Sequence, residues 1–171
     1  MTENSGFEST ASKIVSRAEA VAQVKRWRAE GKRIAYTNGC FDIIHAGHVR
    51  TLEAARRHGD ALVVGLNSDG SARRLKGAGR PVFGQRDRAE MVAALASVDL
   101  VVIFREVSSL PLIQELRPDV WVKGGDYVLD TVNQEERAFV ESYGGAVALG
   151  ERVEGASTTD VIARVKALPD T

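Results

Sequence analysis

Two histidines, His45 and His48, follow an apolar run and a glycine-containing turn. The run Ile34–Tyr36 predicts a strand, and the sequence GHVRTLEAARRH after the turn predicts an amphipathic helix. The turn therefore brings both imidazoles to a helix N-terminus, where free N–H groups and the helix dipole attract anions. Side chains three residues apart share one side of the first turn, so both can donate to one polyphosphate. The spacing predicts a phosphate site.

Two other interpretations of the same turn stay open. Cys40 and Asp42 lie beside the histidines and are plausible zinc ligands. However, the only other histidine is His58 and Cys40 is the sole cysteine, so tetrahedral zinc would need an unusual ligand set. Alternatively, the histidines are a solvated pair without function, since a single histidine at a helix start is often a cap or a surface residue. The preceding strand and tight turn favour the phosphate site.

The string TNGCFDIIHAGH, residues 37–48, resembles the HxGH signature of the cytidylyltransferase-like nucleotidyltransferase superfamily. In its fuller form it is similar to the adenylyltransferases that make ADP-heptose from heptose 1-phosphate. The resemblance extends from about Arg33 to about Val165. It implies that Asp42 belongs to the substrate site, and that nucleotide and phosphate groups bind at Asn38, Gly39, Cys40, Phe41 and Gly47.

Composition limits the class of protein. With 171 residues, 44% hydrophobic and 27% charged, the chain has the size and balance of one soluble domain. The 23 basic and 23 acidic residues give no net charge, which argues against a general nucleic-acid binder. One cysteine excludes an internal disulfide, and no apolar run has membrane length. The polar N-terminus lacks a signal-peptide core, so we expect a cytoplasmic protein without membrane partners.

The order of predicted elements indicates the fold class. Residues 1–15 read as a mobile tail, and residues 16–171 as one nucleotidyltransferase domain that opens with a helix over 16–30. Strand and helix then alternate about five times, and continuous apolar runs such as residues 61–66 are typical of strands covered on both faces. This predicts a doubly wound α/β domain, Rossmann-like, with a mostly parallel five-stranded sheet. Ligands bind beyond the carboxyl ends of such strands. Because GxGxxG and GxxxxGKS are both missing, a nicotinamide dehydrogenase and a P-loop kinase are disfavoured.

Basic residues follow the second strand in a polar, glycine-containing stretch predicted as a loop over residues 67–85. Within the resemblance, a lysine here meets the phosphates of the substrates, which implies this role for Lys76. The family also has an arginine that matches Arg88, at the start of a predicted helix. From the residues alone, Lys76 is equally well interpreted as part of a solvated basic surface, and a helix arginine such as Arg88 is usually a surface salt-bridge partner.

The segment VKGGDY ends another predicted strand. Its paired glycines allow a ligand to approach the backbone, and Asp126 can accept hydrogen bonds from sugar hydroxyls. A glycine-rich turn with a capping aspartate is the plain alternative. By resemblance the segment is typical of heptose adenylyltransferases, whereas glycerol-phosphate cytidylyltransferases tend to have an acidic residue at the position of Gly125. The substrate residues implied are Lys123, Gly124, Gly125 and Asp126.

The stretch RVEGASTTD leads into the last predicted helix. Ser157 and Asp160 have a spacing like that of a capping box, so a simple helix cap explains them locally. The stretch also resembles the second signature of the superfamily, R-x-E-G-x-S-T-T. That resemblance implies a phosphate site at Arg152, Glu154, Gly155, Ser157, Thr158 and Thr159.

Taken with the resemblance, these residues imply adenylyl transfer from ATP to D-glycero-β-D-manno-heptose 1-phosphate, for lipopolysaccharide core or another heptose glycan. The implied catalytic residues are His45, His48, Lys76 and Arg88. Mg²⁺ would accompany ATP, held by phosphate oxygens and water and by no protein side chain. The rivals are a glycerol-3-phosphate cytidylyltransferase, an FAD synthetase, and an inactive nucleotide-binding module. A homodimer is expected because dimers are the commonest homo-oligomers.

Overall fold

The computed structural model of the chain describes residues 9–124, 127–150 and 157–169. They form one parallel β-sheet with helices on both faces. None of the described helices is long and apolar enough to cross a bilayer. The strands are β1 Ile14–Val15, β2 Ile34–Gly39, β3 Ala61–Asn67, β4 Leu100–Phe104, β5 Val120–Lys123 and β6 Ala146–Leu149. The α-helices are α1 Arg17–Ala29, α2 Ala46–Arg56, α3 Asp69–Lys76, α4 Gln85–Ala93, α5 Leu110–Leu116, α6 Gln134–Ser142 and α7 Thr158–Lys166.

The strand order is β1-β4-β3-β2-β5-β6, and each neighbouring pair is parallel. From β2 the chain moves outward through β3 to β4, and it then returns to the other side of β2 to form β5 and β6. The topological switch therefore lies between β2 and β5, which is where doubly wound sheets bind ligands. The predicted doubly wound α/β fold is confirmed.

Within the described residues the sheet has six strands, so the prediction of five was wrong by one. Residues 10–15, predicted as part of a tail, form the 3₁₀ turn Thr10–Lys13 and then β1. Ile14 and Val15 pair with Val101 and Val102 at the outer edge of β4. A strand of two residues is too short to show a pattern of apolar and polar residues in the sequence. It is recognised only from its pairing with β4. The predicted opening helix is α1, which Ser16 caps.

Two hydrophobic cores lie on opposite faces of the sheet. On one face, Ala20 and Val24 of α1 pack with α5, α6 and strand residues such as Tyr36 and Trp121. On the other face, Leu52 of α2 and Val92 of α4 pack with the alternate strand residues. Strands covered on both faces explain the continuous apolar runs of the sequence. The apolar residues lie on the two faces of the sheet, and polar turns lie at the carboxyl ends of its strands.

The predicted loop over residues 67–85 is wrong in its first half. Residues 69–76 form α3, which Ser68 caps by accepting a hydrogen bond from the Ser71 N–H at 3.3 Å. The helix buries only Ser71 and Ala72, so the sequence carries too weak an apolar face to indicate a helix. Lys76 consequently occupies the end of a helix.

Candidate active site

The turn after β2 has a constrained backbone. Phe41 adopts φ 47°, in the left-handed region that side chains rarely occupy. A Cβ built at Gly39 would lie 3.1 Å from the Phe41 ring, so a larger residue there would press against it. The buried Phe41 ring in turn lies 5.3 Å from the ring of His48, at an interplanar angle of 59°. The Phe41 ring, held by the strained turn, thus packs against His48 and limits its position. Strained backbone is often found at functional sites.

The two histidines meet at the start of α2. His45 is the N-cap residue, with extended backbone, and His48 lies in the first turn. Their rings stack with centroids 3.9 Å apart at 28°. The Nδ1 atom of each ring is buried and has no hydrogen-bond partner within the described ranges. The pair therefore has hydrogen-bonding capacity that the described part of the protein leaves unused.

The zinc alternative finds no support in the geometry of this turn. Within residues 9–124, 127–150 and 157–169, no three His, Cys, Asp or Glu side chains are grouped as metal ligands. The Cys40 Sγ lies 3.8 Å from the Asn67 Oδ1, and burial raises the pKa of the Cys40 thiol. The Asp42 carboxylate is bound to Arg80.

Burial favours the neutral form of both imidazoles. Burial lowers the pKa of His48 to about 4, the charges of His45 and Lys76 add to this shift, and the Ile43 backbone opposes it. Burial also lowers the pKa of His45, while the Asp160 carboxylate opposes that shift. Neutral imidazoles offer hydrogen bonds to a phosphate without a fixed charge, and a bound polyanion would favour their protonation.

Asp160, in the first turn of α7, lies close enough to His45 for its charge to oppose the lowering of the His45 pKa. Ser157 caps the helix by accepting a hydrogen bond from the Asp160 N–H at 3.0 Å, which confirms the predicted cap. Thr158 and Thr159 begin the helix. The start of α7 can therefore bind phosphate at the same site as α2. Arg152, Glu154 and Gly155 lie outside the described residues.

Lys76 brings positive charge to the site from the end of α3. Its side chain is exposed, and its charge adds to the lowering of the His48 pKa and opposes the rise in the Cys40 pKa that burial causes. The ammonium group thus lies near the histidines while remaining free to meet solvent. This arrangement suits the predicted contact with substrate phosphates.

Arg88 is fully buried, with 0% of its surface exposed, and binds the surrounding backbone. Its Nε donates to the Phe83 carbonyl at 3.0 Å, and its Nη1 donates to the Cys40 carbonyl. Its Nη2 donates to the Asn67 carbonyl at 2.9 Å and to the Asp69 carboxylate at 2.8 Å. Arg88 therefore joins three segments that surround the site, a role that the sequence alone did not indicate.

Asp42 also lies inside the protein, with 3% of its surface exposed. Its Oδ1 accepts hydrogen bonds from the backbone N–H groups of Val82, at 2.6 Å, and Phe83, at 3.5 Å. Its Oδ2 accepts from the Arg80 Nε. Both carboxylate oxygens are thus occupied within the protein, which differs from the substrate role implied by the resemblance.

Lys123 ends β5 and reaches the end of β2. Its Nζ donates to the Asn38 Oδ1 at 3.3 Å, and the Trp121 Nε1 donates to the same oxygen at 3.1 Å. The Lys123 ammonium also lies 5.2 Å and 5.3 Å from the ring centroids of Trp121 and Tyr127, and burial lowers its pKa. Asn38, predicted to bind nucleotide, thus joins β2 to β5. Gly125 and Asp126 lie outside the described residues.

A cavity of about 590 Å³ lies away from this chemistry, at the amino end of the sheet. It is lined by Arg28, Arg33, Arg117, Asp119, Tyr143, Gly144 and Gly145. The predicted site residues His45, His48, Lys76, Arg88 and Lys123 do not line this cavity. The histidine pair at the carboxyl edge, where helix N-termini and the switch point coincide, is the site that can bind a polyphosphate.

Comparison with solved structures supports the architecture. The chain is similar to the lipopolysaccharide core biosynthesis protein of Thermoplasma volcanium, with a TM-score of 0.63 and 24% identity. The match covers 72% of this chain and 100% of the other. At this identity the likeness concerns the fold.

Curated relatives are closer in sequence. The chain is 50% identical over 155 residues to the bifunctional protein HldE of Magnetococcus marinus, a match that covers 91% of this chain and 31% of the relative. It is 54% identical over 154 residues to HldE of Acidiphilium cryptum, covering 90% and 31%. It is 56% identical over 138 residues to HldE of Geobacter sulfurreducens, covering 81% and 28%. The chain therefore spans under a third of the length of these relatives.

The family assignment rests on the part of the chain that builds the site. Residues 36–164 match the cytidylyltransferase-like family, and this range begins in β2 and ends in α7. It includes the stacked histidines, Lys76, Arg88 and the start of α7. The chain belongs to the cytidylyltransferase-like family, whose members are nucleotidyltransferases.

Proposed function

We propose that the chain transfers the adenylyl group of ATP to D-glycero-β-D-manno-heptose 1-phosphate, giving ADP-heptose and pyrophosphate. The observation that carries this proposal is the stacked pair His45 and His48 at the N-terminus of α2, near the charges of Lys76 and Asp160. The identity of 50–56% to HldE proteins supports the same branch of the family.

The proposed reaction is a displacement at phosphorus. An oxygen of the sugar 1-phosphate attacks the α-phosphorus of ATP, the bond to the oxygen that bridges the α- and β-phosphates breaks, and pyrophosphate leaves with the electron pair. The protein lowers the barrier by orienting the two phosphates and by stabilising charge on the transferred and leaving groups. No covalent intermediate with Cys40 is proposed, because that thiol is buried and its pKa is raised.

Each polar group has a proposed part in this reaction. His45 and His48 donate hydrogen bonds to the phosphate oxygens, where negative charge develops as pyrophosphate leaves. The free N–H groups at the start of α7, with the hydroxyls of Thr158 and Thr159, bind the β- and γ-phosphates. Lys76 approaches from the end of α3 and adds a mobile positive charge.

Mg²⁺ is proposed to arrive with ATP. The Asp42 carboxylate of the histidine turn is occupied by Arg80 and the Val82 amide, so phosphate oxygens and water would hold the ion. When bound, Mg²⁺ neutralises phosphate charge. We propose a cytoplasmic location and a homodimer as further expectations.

The test is a pyrophosphate-release assay with Mg²⁺, in which ATP and CTP are each combined with heptose 1-β-phosphate and glycerol 3-phosphate. We expect turnover only with ATP and the heptose phosphate. Turnover only with CTP and glycerol phosphate would keep the site and overturn the substrate. Silence in all four combinations, with protein that is folded by circular dichroism, would contradict the proposal.

A further inference from the structure

A buried carboxylate joins the histidine turn to a distant segment of the chain. All hydrogen-bond donors described for Asp42 belong to residues 80–83: the Arg80 guanidinium and the N–H groups of Val82 and Phe83. A buried carboxylate is costly unless it is paired and hydrogen-bonded. The contact therefore strongly favours one position of residues 80–83, and we name these four residues the anchor segment.

Arg88 holds the same segment from its other end. Its Nε donates to the Phe83 carbonyl at 3.0 Å, while its Nη1 binds the Cys40 carbonyl of the histidine turn. The anchor segment is thus fixed at its N–H groups by Asp42 and at its last carbonyl by Arg88. Both residues tie the segment to the turn that carries the histidines.

A short glycine-rich link connects the anchor segment to Lys76. Gly77 and Gly79 have φ values of +91° and +81°, and a Cβ built at either would have no neighbour within 4 Å. Residues 77–79 are exposed, whereas the anchor segment, although its Val82 and Phe83 side chains are also exposed, is held by the hydrogen bonds to Asp42 and Arg88. The four Cα–Cα steps from Lys76 to Arg80 span at most about 14 Å, so the anchor limits where the end of α3 can move.

We propose that Asp42 is a positioning residue for Lys76: it holds the anchor segment, and the link then limits how far the Lys76 ammonium reaches over His48. Asp42 itself contacts no substrate. The inference rests on the adenylyl transfer proposed above, because Lys76 matters only if phosphates bind at the histidines.

The variant Asp42→Asn tests this geometry. Asparagine keeps an acceptor for the Val82 amide but turns an NH₂ group toward the Arg80 Nε, so two donors face each other. We expect kcat/KM to fall about 10- to 100-fold, a loss of about 1.4 to 2.7 kcal/mol of transition-state stabilisation. Arg80→Met should reproduce this loss, and the double variant should be no worse than either single variant. Near-native kinetics for Arg80→Met beside an impaired Asp42→Asn would overturn the proposal, since Asp42 would then act directly.

A double-mutant cycle measures the coupling between Asp42 and Lys76, for which the structure gives no direct contact. In the wild-type background Lys76→Ala should reduce kcat/KM strongly, and in the Asp42→Asn background it should cost several-fold less. Equal losses in both backgrounds would contradict the proposal. Asp60→Asn is the matched control, because Asp60 accepts a hydrogen bond from the Arg33 N–H at 2.8 Å at the other edge of the sheet. That variant should keep native kinetics.

Hydrogen exchange gives a readout that does not depend on turnover. We expect the Val82 and Phe83 amides to exchange at least about 10-fold faster in Asp42→Asn and Arg80→Met, while the amides of α2 stay protected. Unchanged exchange would overturn the anchor even if activity is lost. If the wild-type protein turns over no substrate, the proposal of adenylyl transfer is contradicted, whereas hydrogen exchange still tests whether Asp42 holds the anchor segment. If Asp42→Asn does not fold, Arg80→Met carries the test, because the Arg80 side chain is 20% exposed.

Discussion

Gly124 lies so close to Thr51 that a Cβ built at Gly124 would be 2.1 Å from the Thr51 Cγ2. Thr51 belongs to α2, three residues after His48, and Gly124 follows the last residue of β5. The contact therefore fixes α2, which carries the histidines, against the strand on the far side of the topological switch. It also sets the position of His48 relative to Lys123, with no polar interaction involved.

We expect Gly124→Ala to lower the free energy of unfolding by about 1–3 kcal/mol, because the added methyl group overpacks the contact. Pyrophosphate release should fall as well, since α2 must shift. Thr51→Ser removes the clashing Cγ2 and should restore part of both losses. Urea denaturation and the turnover assay measure these effects.

The control for this prediction is Gly70→Ala in α3, where an added Cβ meets nothing within 4 Å. Alanine favours a helix more than glycine does, so this variant should not lose stability. Native stability in Gly124→Ala, or no improvement on adding Thr51→Ser, would contradict the packing argument.

Sequence alone could predict the features that depend on neighbours in the chain. His45 and His48 meet because a strand, a turn and a helix start follow one another within fifteen residues, 34–48. The cap at Ser157 likewise depends on a residue three positions away. Apolar runs that alternate with amphipathic stretches predicted the order of strands and helices. The right-handedness of the connections between parallel strands then predicted the doubly wound sheet.

Contacts between distant segments were not predictable in the same way. Asp42 binds Arg80 across 38 positions, and Trp121 shares the Asn38 oxygen across 83. No local pattern encodes such pairs, because they arise only when the sheet brings carboxyl ends together. This is why the sequence indicated either a catalytic role for Arg88, by resemblance, or a surface position, and did not predict that Arg88 is fully buried.

His48→Ala should leave a folded protein with turnover reduced by about 10²- to 10³-fold, because a hydrogen bond to the developing charge is lost. Pyrophosphate release with ATP and heptose 1-β-phosphate measures the loss. His58→Ala is the matched control, since His58 is exposed just beyond α2 and should retain native turnover. Near-native activity in folded His48→Ala would overturn the role given to the histidine pair.

Arg88→Met should destabilise the protein by about 3–5 kcal/mol, because the buried carbonyls of Cys40 and Asn67, the half-buried Phe83 carbonyl and Asp69 lose their donor. Arg88→Lys should recover only part of this, since one ammonium group cannot reach three segments at once. Arg137→Met serves as the control, because its ion pairs with Glu141 and Asp130 and its hydrogen bond to the Leu129 carbonyl lie at the surface and should together contribute less than about 1 kcal/mol. Equal urea midpoints for Arg88→Met and wild type would contradict the structural role.

The depressed pKa of His48 predicts how stability depends on pH. Burial lowers this pKa from the usual 6.5 to about 4, so between these values the unfolded chain binds the proton and the folded protein does not. The contribution of the neutral ring is therefore fully present above pH 6.5 and is lost as the pH falls toward 4, by about 3 kcal/mol in total. His48→Gln cannot titrate, so the difference in unfolding free energy between wild type and this variant should change by that amount across the window. Urea denaturation at several pH values measures it, and parallel curves for the two proteins would show that His48 keeps an ordinary pKa.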